Sequence, residues 1–253
     1  MSVDLGRLVA YLNDTLMCQQ FEESAINGLQ VAGKKKVKKI AFAVDGVLET
    51  FEMAVAAGAD LLIVHHGLYW GFQWPLRGAD YKRVKLLMDN DLALYAAHLP
   101  LDAHAELGHA ANLLRELGVE NRVPFGRYKG MSIGFMGEIP ECSRTELHER
   151  LETLLGDSVK LLPFGPEKVR RVACVTGQGA DFSLVREAKI QNIHFYISGE
   201  ASHPIYHYCR ENLVSLALGG HYRTEVFGLR ALKSHLENQY DVETVWLEAP
   251  TGF

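Results

Sequence analysis

The chain has 253 residues, of which 48% are hydrophobic and 23% are charged, and its formal net charge is −5 at pH 7. This length is enough for one large domain or two smaller ones, and the composition is ordinary for a globular protein. The negative net charge argues against non-specific binding to nucleic acid or to anionic membrane surfaces.

The first sixteen residues, MSVDLGRLVAYLNDTL, are typical of an amphipathic helix with Leu5, Leu8 and Leu12 on one face. They lack the long apolar core of a signal peptide, and no apolar run in the chain reaches the length of a membrane span. The four cysteines are far apart and form no CxxC pair, which is typical of a reducing compartment. We therefore predict a cytoplasmic protein.

Strand-like and helix-like segments alternate from residue 39 onward. Strands are predicted over 39–45, 59–66 and 92–98, and helices over 48–59, 80–90 and 108–118. Short apolar strands separated by helices predict α/β domains with mainly parallel sheets. The pattern changes after residue 125. A strand with alternating apolar and polar residues and the capped helix SRTELHERLETLLG come first, and a second series of alternating strands and helices follows. We predict a first α/β domain of residues 1–125 plus 220–253, and a second, smaller α/β domain of residues 126–219.

The two predicted domains show a partial internal repeat. KIAFAVDG at 39–46 aligns with RVACVTGQ at 171–178, and GADLLIVHHG at 58–67 aligns with IQNIHFYISG at 190–199, both at an offset of about 132 residues. The identities are few, so two similar but unrelated βαβ units remain an alternative. If the repeat is real, corresponding strands carry corresponding functional positions.

A histidine followed four residues later by a carboxylate occurs after an apolar strand in both halves. These pairs are His98 with Asp102, in AAHLPLD, and His221 with Glu225, in GGHYRTE. Ligands of open α/β sheets bind beyond the carboxyl ends of the strands. We therefore predict a site in the cleft between the two domains.

The stretch LLIVHHGLYWG ends a strand with His65 and His66. Neighbouring side chains of a strand point to opposite faces, so the two imidazoles do not readily share one small target, and two metal ions would give each a partner. Imidazole and carboxylate groups are ordinary ligands of zinc, iron, manganese and related divalent ions. A hydrogen-bonded structural histidine is the alternative reading of each position. Because Pro100 disfavours a regular helix, we expect Asp102 in a loop, and we expect His98 beside the ligands, where it exchanges a proton or orients a ligand.

Other segments suggest weaker roles. Tyr69 and Trp70 either stack on a flat substrate or cover the core, and Asp45 is placed to hydrogen-bond near the site. The lysine run at 34–39 is typical of a solvated loop. The chain contains no GxxxxGK[ST] or GxSxG motif, which argues against a P-loop nucleotidase and a serine hydrolase.

The segments NGLQV, VDG, IVHHG, HLPLDAH, ELGHAANL and GHYRTE resemble the NIF-three-like family, the GTP cyclohydrolase I type 2 homologues, and most closely its compact bacterial YbgI-type members. The resemblance covers nearly the whole chain. It implies two α/β domains around a dinuclear metal site and a toroidal homohexamer. It assigns the metal-ligand role to five residues: His65, His66, Asp102, His221 and Glu225. The family name does not establish a substrate.

We predict a hydrolase that uses two divalent ions per subunit, such as iron, zinc or manganese, to activate water. The predicted substrate is a nucleotide, a related ring or a phosphoester, and His98 is the predicted catalytic residue for proton transfer. The alternative is a non-enzymatic, metal-holding interaction or regulatory protein, with a link to nucleic acid through the lysine run. The acidic net charge argues against that link.

Overall fold

Helices and strands alternate along most of the chain in a computed structural model that describes residues 2–72 and 75–253. The strands are β1 Val3–Asp4, β2 Gly28–Val31, β3 Lys36–Val37, β4 Lys39–Asp45, β5 Leu61–His66, β6 Ala93–Ala96, β7 Glu120–Tyr128, β8 Met131–Ser143, β9 Lys160–Pro163, β10 Lys168–Cys174, β11 Phe195–Ser198, β12 Ser215–Leu218 and β13 Glu243–Trp246. The helices are α1 Leu5–Thr15, α2 Leu48–Ala56, α3 Gly78–Asp89, α4 Leu99–Asp102, α5 His109–Glu116, α6 Arg144–Leu155, α7 Phe182–Ile190, α8 Pro204–Asn212, α9 His221–Thr224 and α10 Phe227–Gln239, with a 3₁₀ turn at Cys18–Gln20. In the part of the chain that is described, no helix is both long and apolar enough to cross a membrane.

The chain forms two units that differ in their boundaries from the predicted domains. Unit 1 contains the chain up to Leu101 together with Leu229–Ala249, and unit 2 contains Asp102–Gly228 together with Pro250–Phe253. The segments 102–125 and 220–228, predicted in the first domain, lie in unit 2. The cause is visible in α5, whose apolar side chains join a buried cluster with β8, β10 and α6.

The unit 1 sheet has the strand order β13-β4-β5-β6-β2. Its first three pairings are parallel, and only the edge strand β2 runs antiparallel to its neighbour. The parallel strands β4 and β5 are almost continuously apolar and buried, as expected for strands covered on both faces. On one face, α2 contributes Phe51 to a buried cluster with Leu62, Val64 and Leu94.

The unit 2 sheet has the order β7-β8-β10-β11-β12-β9. Its central strands β10, β11 and β12 are parallel, whereas β7, β8 and β9 pair antiparallel. Only Lys129 and Gly130, both with positive φ, separate β7 from β8, and such a short connection can join antiparallel strands only. The α/β class is confirmed, with parallel strands at the centre of this second sheet and antiparallel strands flanking them.

The internal repeat appears in the topology of both units. Three parallel strands in chain order, β4-β5-β6 in unit 1 and β10-β11-β12 in unit 2, carry on their last member an antiparallel edge strand that precedes them in the chain. In each unit the third parallel strand leads directly to a histidine, His98 or His221. A histidine therefore follows the third parallel strand at the carboxyl end of the sheet in both units.

The lysine run is anchored to unit 1 by one buried carboxylate. Asp60 accepts hydrogen bonds from the backbone N–H groups of Lys38 and Lys39, at 2.8 and 3.3 Å, and pairs with Lys34 Nζ at 2.9 Å. Burial acts to raise the pKa of Asp60, but the hydrogen bonds from Lys34, Lys38 and Lys39 outweigh it and lower the pKa. The run is thus mostly solvent-exposed but fixed at its base.

Replacing Asp60 with alanine is expected to lower the free energy of unfolding at pH 7 by about 1–3 kcal/mol, because two backbone donors lose their acceptor. The folded pKa of Asp60 lies below its ordinary value of 3.8. Its contribution is therefore complete above about pH 4 and is lost as the pH falls through the folded pKa. Urea denaturation of both proteins between pH 7 and pH 3 measures the difference. Asp89→Ala, which removes an exposed partner of Lys85, is the control and should change little.

Candidate metal centre

Three histidines of unit 1 cluster at the carboxyl ends of β5 and β6. His65 and His66 end β5, and His98 follows β6 by two residues. Their ring centroids lie 4.7 Å apart for His65 and His66, 4.9 Å for His65 and His98, and 5.7 Å for His66 and His98. One ligand nitrogen from each lies within 4.8 Å of the others. The three residues can therefore hold a metal ion.

The adjacent histidines come together despite the alternation of side chains along a strand. His65 is fully buried, whereas His66 is the last residue of β5 and its side chain is 18% exposed. Asp45, at the end of β4, holds the His66 ring through Nδ1 at 2.8 Å. The two imidazoles lie closer together than the alternation of a strand predicts, because the strand ends here and a neighbouring carboxylate fixes the second ring.

Each ring of the cluster is held through the same nitrogen. His65 Nδ1 donates to the carbonyl of Ala97 at 2.8 Å, since a carbonyl can only accept. His66 Nδ1 faces Asp45 Oδ1 at 2.8 Å, and His98 Nδ1 faces Glu23 Oε2 at 2.5 Å. These bonds assign the proton to Nδ1, so Nε2 of each neutral ring carries the lone pair. A carbonyl or carboxylate behind the ring is the usual environment of a metal-binding histidine.

A small network orients His98. Glu23, whose side chain is only 4% exposed, also accepts hydrogen bonds from the Asn27 amide at 2.7 Å and from the Leu99 N–H at 3.2 Å. Asn27 in turn accepts the backbone N–H of His98 at 2.7 Å. Burial acts to raise the pKa of Glu23, but the hydrogen bond and charge of His98, with the Asn27 bond, lower it. Glu23 is therefore a carboxylate at neutral pH.

Trp70 forms an aromatic wall beside the cluster. Its ring meets His98 edge-on at 5.0 Å and lies 6.0 Å from His66, and its indole N–H donates to the Gly67 carbonyl at 2.9 Å. A side chain at Gly67 would collide with Gln30, which accepts the Leu68 N–H at 2.7 Å. The glycine after the two histidines thus lets the loop close against β2.

Asp102 is the last residue of α4, which corrects the expectation of a loop. Pro100 stands in the first turn of this one-turn helix, where a backbone N–H has no helical acceptor, so the proline removes no hydrogen bond there. In unit 2, Asp102 is buried and accepts a hydrogen bond from Thr176 Oγ1 at 3.1 Å. Burial, with the charge of Asp102, also raises the pKa of the Cys174 thiol.

His221 and Glu225 lie together in unit 2. His221 Nε2 faces Glu225 Oε2 at 3.2 Å across α9, and Glu225 is buried. His221 Nδ1 faces Glu200 Oε1 at 2.7 Å. Burial acts to lower the pKa of His221, but Glu225 and Glu200 outweigh it and raise the pKa to about 9. This histidine is therefore held by one carboxylate and directed at another.

The turn after β10 approaches His221 and Glu225 through its backbone. Gly177 has φ +57°, and a Cβ there would lie 2.0 Å from Glu225 Oε1 and 3.1 Å from His221 Nε2. Its N–H donates to Thr224 Oγ1, and its carbonyl accepts the N–H groups of Gly199 and Glu200. A side chain at Gly177 would fill the space beside both side chains. The imidazole, carboxylate and glycine arrangement fits a divalent ion.

The predicted site residues are divided between the two units in the chain. His65, His66 and His98 belong to unit 1 and lie close together, while Asp102, His221 and Glu225 belong to unit 2. Several residues that support them were not predicted from the sequence: Glu23, Asn27, Thr176, Gly177 and Glu200. Gly177 and Glu200 follow β10 and β11 closely, so the strand-end rule applied to the second half would have found them.

Gly177→Ala is expected to weaken metal binding at least about tenfold, because the new methyl group would occupy the space beside Glu225 and His221. Gly130→Ala is the matched control, since Gly130 also has positive φ but has no atom within 4 Å of the added Cβ. Isothermal titration with Zn²⁺ compares the two variants. Equal Zn²⁺ affinities of the two variants would contradict the prediction, because they would show that metal binding does not need the space beside Glu225 and His221.

Glu200→Ala is expected to weaken Zn²⁺ binding about 10–100-fold, because His221 would lose the acceptor that fixes the orientation of its ring. Glu200→Gln keeps an oxygen acceptor and should retain most of the affinity. The measurement is the same titration, with thermal unfolding as a check of the fold. Equal losses in both variants would mean that the charge of Glu200 matters, and not the orientation of His221.

Comparisons with known proteins identify the family. The profile of Duf34/NIF3 (NGG1p interacting factor 3) matches residues 3–251. An Archaeoglobus fulgidus protein named GTP cyclohydrolase 1 type 2 homolog is 41% identical over 251 residues, 99% of this chain and 100% of the relative. The structure of TTHA1606 from Thermus thermophilus is similar with a TM-score of 0.92 at 36% identity, covering 99% and 100% of the two chains. Protein YbgI, described as of unknown function, gives a TM-score of 0.91 at 34% identity over 98% and 99%. The chain therefore belongs to the Duf34/NIF3 family.

Proposed function

We propose that this protein is a hydrolase dependent on two divalent metal ions, held by His65 and His66 of unit 1 and by Asp102, His221 and Glu225 of unit 2. The observation that supports the proposal best is the common orientation of the histidines. Each is held at Nδ1 by a carbonyl or a carboxylate, so that Nε2 is presented as the ligand nitrogen.

The proposed chemistry divides between the ions and the protein. Bound divalent ions would supply Lewis acidity and a water of lowered pKa. Asp45 and Glu200 hold the rings of His66 and His221, and the Gly177 backbone leaves room beside Glu225. The assignment of proton transfer to His98 stays a prediction.

The proposed substrate is a nucleotide, a related heterocycle or a phosphoester. Trp70 supports this class, since its ring stands beside His66 and His98, where a planar group could stack. The relatives named GTP cyclohydrolase 1 type 2 homolog point in the same direction. A ring-opening or phosphoester hydrolysis uses the same ligand set.

Protein purified without added metal is expected to contain about two divalent ions per chain by elemental analysis. It should hydrolyse a nucleotide or the generic phosphodiester bis-(p-nitrophenyl) phosphate, and chelation should abolish turnover. His65→Ala and Glu225→Ala should lower the metal content and reduce activity at least about 100-fold. His235→Ala is the control, since this unit 1 histidine bonds to Tyr11 instead.

Two outcomes would contradict the hydrolase. The absence of stoichiometric metal, with both variants unchanged in fold, would remove the metal centre itself. Two bound ions without turnover on any nucleotide or phosphoester would leave the metal centre intact and favour the metal-holding interaction protein.

A further inference from the structure

We infer that helix α8 of unit 2 carries an accessory binding site for one transition-metal ion, formed by His203 and His207. The ion would be Cu²⁺, Ni²⁺ or Zn²⁺. The site shares no residue with the candidate metal centre, and it does not rest on the proposed function. Because both side chains are exposed, a bound ion would exchange readily with solvent.

The two histidines stand one helical turn apart on the same face of α8. His203 directly precedes Pro204, the first residue of the helix, and its backbone is already helical, with φ −47° and ψ −44°. This conformation matters, because a residue before proline more often has an extended backbone. His207 follows four residues later, and side chains at positions i and i+4 of a helix are neighbours. The same spacing brings two histidines to one zinc ion in the H-E-x-x-H motif.

The distance between the two rings fits a shared ion. Their centroids lie 5.7 Å apart, and the ring planes are inclined by 80°. Two imidazoles that bind one tetrahedral ion through nitrogens at about 2.1 Å have ring centroids about 5 Å apart. Small rotations of the two exposed side chains would therefore bring one nitrogen of each ring to the ion.

These two rings differ from every other histidine ring of the chain in their hydrogen bonding. Each of the others has a ring nitrogen in a hydrogen bond with a carboxylate, a backbone group or a tyrosine hydroxyl. Within residues 2–72 and 75–253, the rings of His203 and His207 form no hydrogen bond or ion pair, and they contact only each other and Tyr206 as aromatic neighbours. Their ring nitrogens are thus available to an ion.

The packing of α8 keeps the pair on the solvent side. Ile205 and Cys209 are fully buried and hold the opposite face of the helix against unit 2. The Tyr206 ring lies edge-on to both Phe164, at 5.3 Å, and His207, at 5.4 Å. This aromatic contact steadies the His207 side chain while its ring remains exposed to solvent.

The donor set selects the class of ion. Imidazole suits Cu²⁺, Ni²⁺ and Zn²⁺, whereas Mg²⁺ and Ca²⁺ prefer oxygen ligands. Two linked ligands bind an ion far more tightly than either ligand alone, because the second ring binds intramolecularly. The remaining coordination positions would be left to water or to a donor from another molecule.

The test is the retention of the untagged full chain on a column of immobilised Ni²⁺, which binds exposed histidines. The parent chain is expected to be retained, and His203→Gln and His207→Gln should each elute much earlier. The matched control combines His207→Gln with Arg210→His, which keeps the number of exposed histidines but places them seven residues apart. That separation is about 10 Å along a helix, too far for one ion, so this control should elute with the single variants.

A titration with Ni²⁺ in solution gives the stoichiometry. The parent chain should bind one more ion than the double variant His203→Gln/His207→Gln, and each single variant should bind this ion at least about 100-fold more weakly. Excess Mg²⁺ should not compete. Either single variant suffices if the other does not fold.

The outcomes separate this site from the candidate metal centre. The metal content after purification should be equal in all these proteins, because the residues of that centre are unchanged. Equal retention of the parent and the single variants, or retention of the Arg210→His control like the parent, would overturn the inference and leave the proposed function standing.

Discussion

The hydrogen bond at Nδ1 is the constraint on which the candidate centre depends. An imidazole can present either nitrogen, and its neutral ring has one donor and one acceptor. In this protein a backbone carbonyl holds His65, and the carboxylates Asp45 and Glu200 hold His66 and His221. These acceptors come from neighbouring strand ends, so the sheet itself sets the tautomer. A shift of one strand by one residue would therefore remove the acceptor from the histidine Nδ1 and would also turn core side chains towards solvent.

The fold repeats this arrangement because parallel strands of one sheet end at one edge. β4, β5 and β6 bring Asp45, His66 and His98 to that edge in unit 1, and β10, β11 and β12 bring Gly177, Glu200 and His221 to it in unit 2. In unit 2, Gly177 leaves space beside Glu225 and His221, and the Glu200 carboxylate accepts from the His221 ring. The two units thus share an arrangement of three parallel strands but carry different side chains at the strand ends.

The sequence predicted those parts that depend on local pattern. The buried strand at 39–45 and the helix closed by Gly156 have the expected bounds within a residue or two, because apolar runs and caps are local signals. The antiparallel strands β7, β8 and β9 of the unit 2 sheet were not predicted. The two-residue connection at 129 and 130, with positive φ at both, fixes the antiparallel pairing of β7 with β8. Asp102 was expected in a loop because proline breaks helices. This expectation was wrong because proline breaks helix interiors, and the one-turn helix α4 has no interior.

Glu23 could not be predicted as a supporting residue because it is distant in sequence from its partner. It lies 75 residues before His98 and outside the strands, so no periodicity and no strand end links the two positions. Asp45 was predicted because it ends a strand. The candidate ligands could be found from the sequence because two adjacent histidines end an apolar run, and because a histidine is followed four residues later by a carboxylate in both halves.

The route of the chain has a consequence for synthesis on the ribosome. Unit 1 is closed by α10 and by β13, which pairs in parallel with β4 although the two strands are about 200 residues apart in sequence. Asp102–Gly228 of unit 2 is synthesised entirely before that strand. Domains generally fold as units during synthesis, and pairings between distant segments form slowly. Most of unit 2 is therefore synthesised while the unit 1 sheet still lacks β13, the strand that covers its edge at β4.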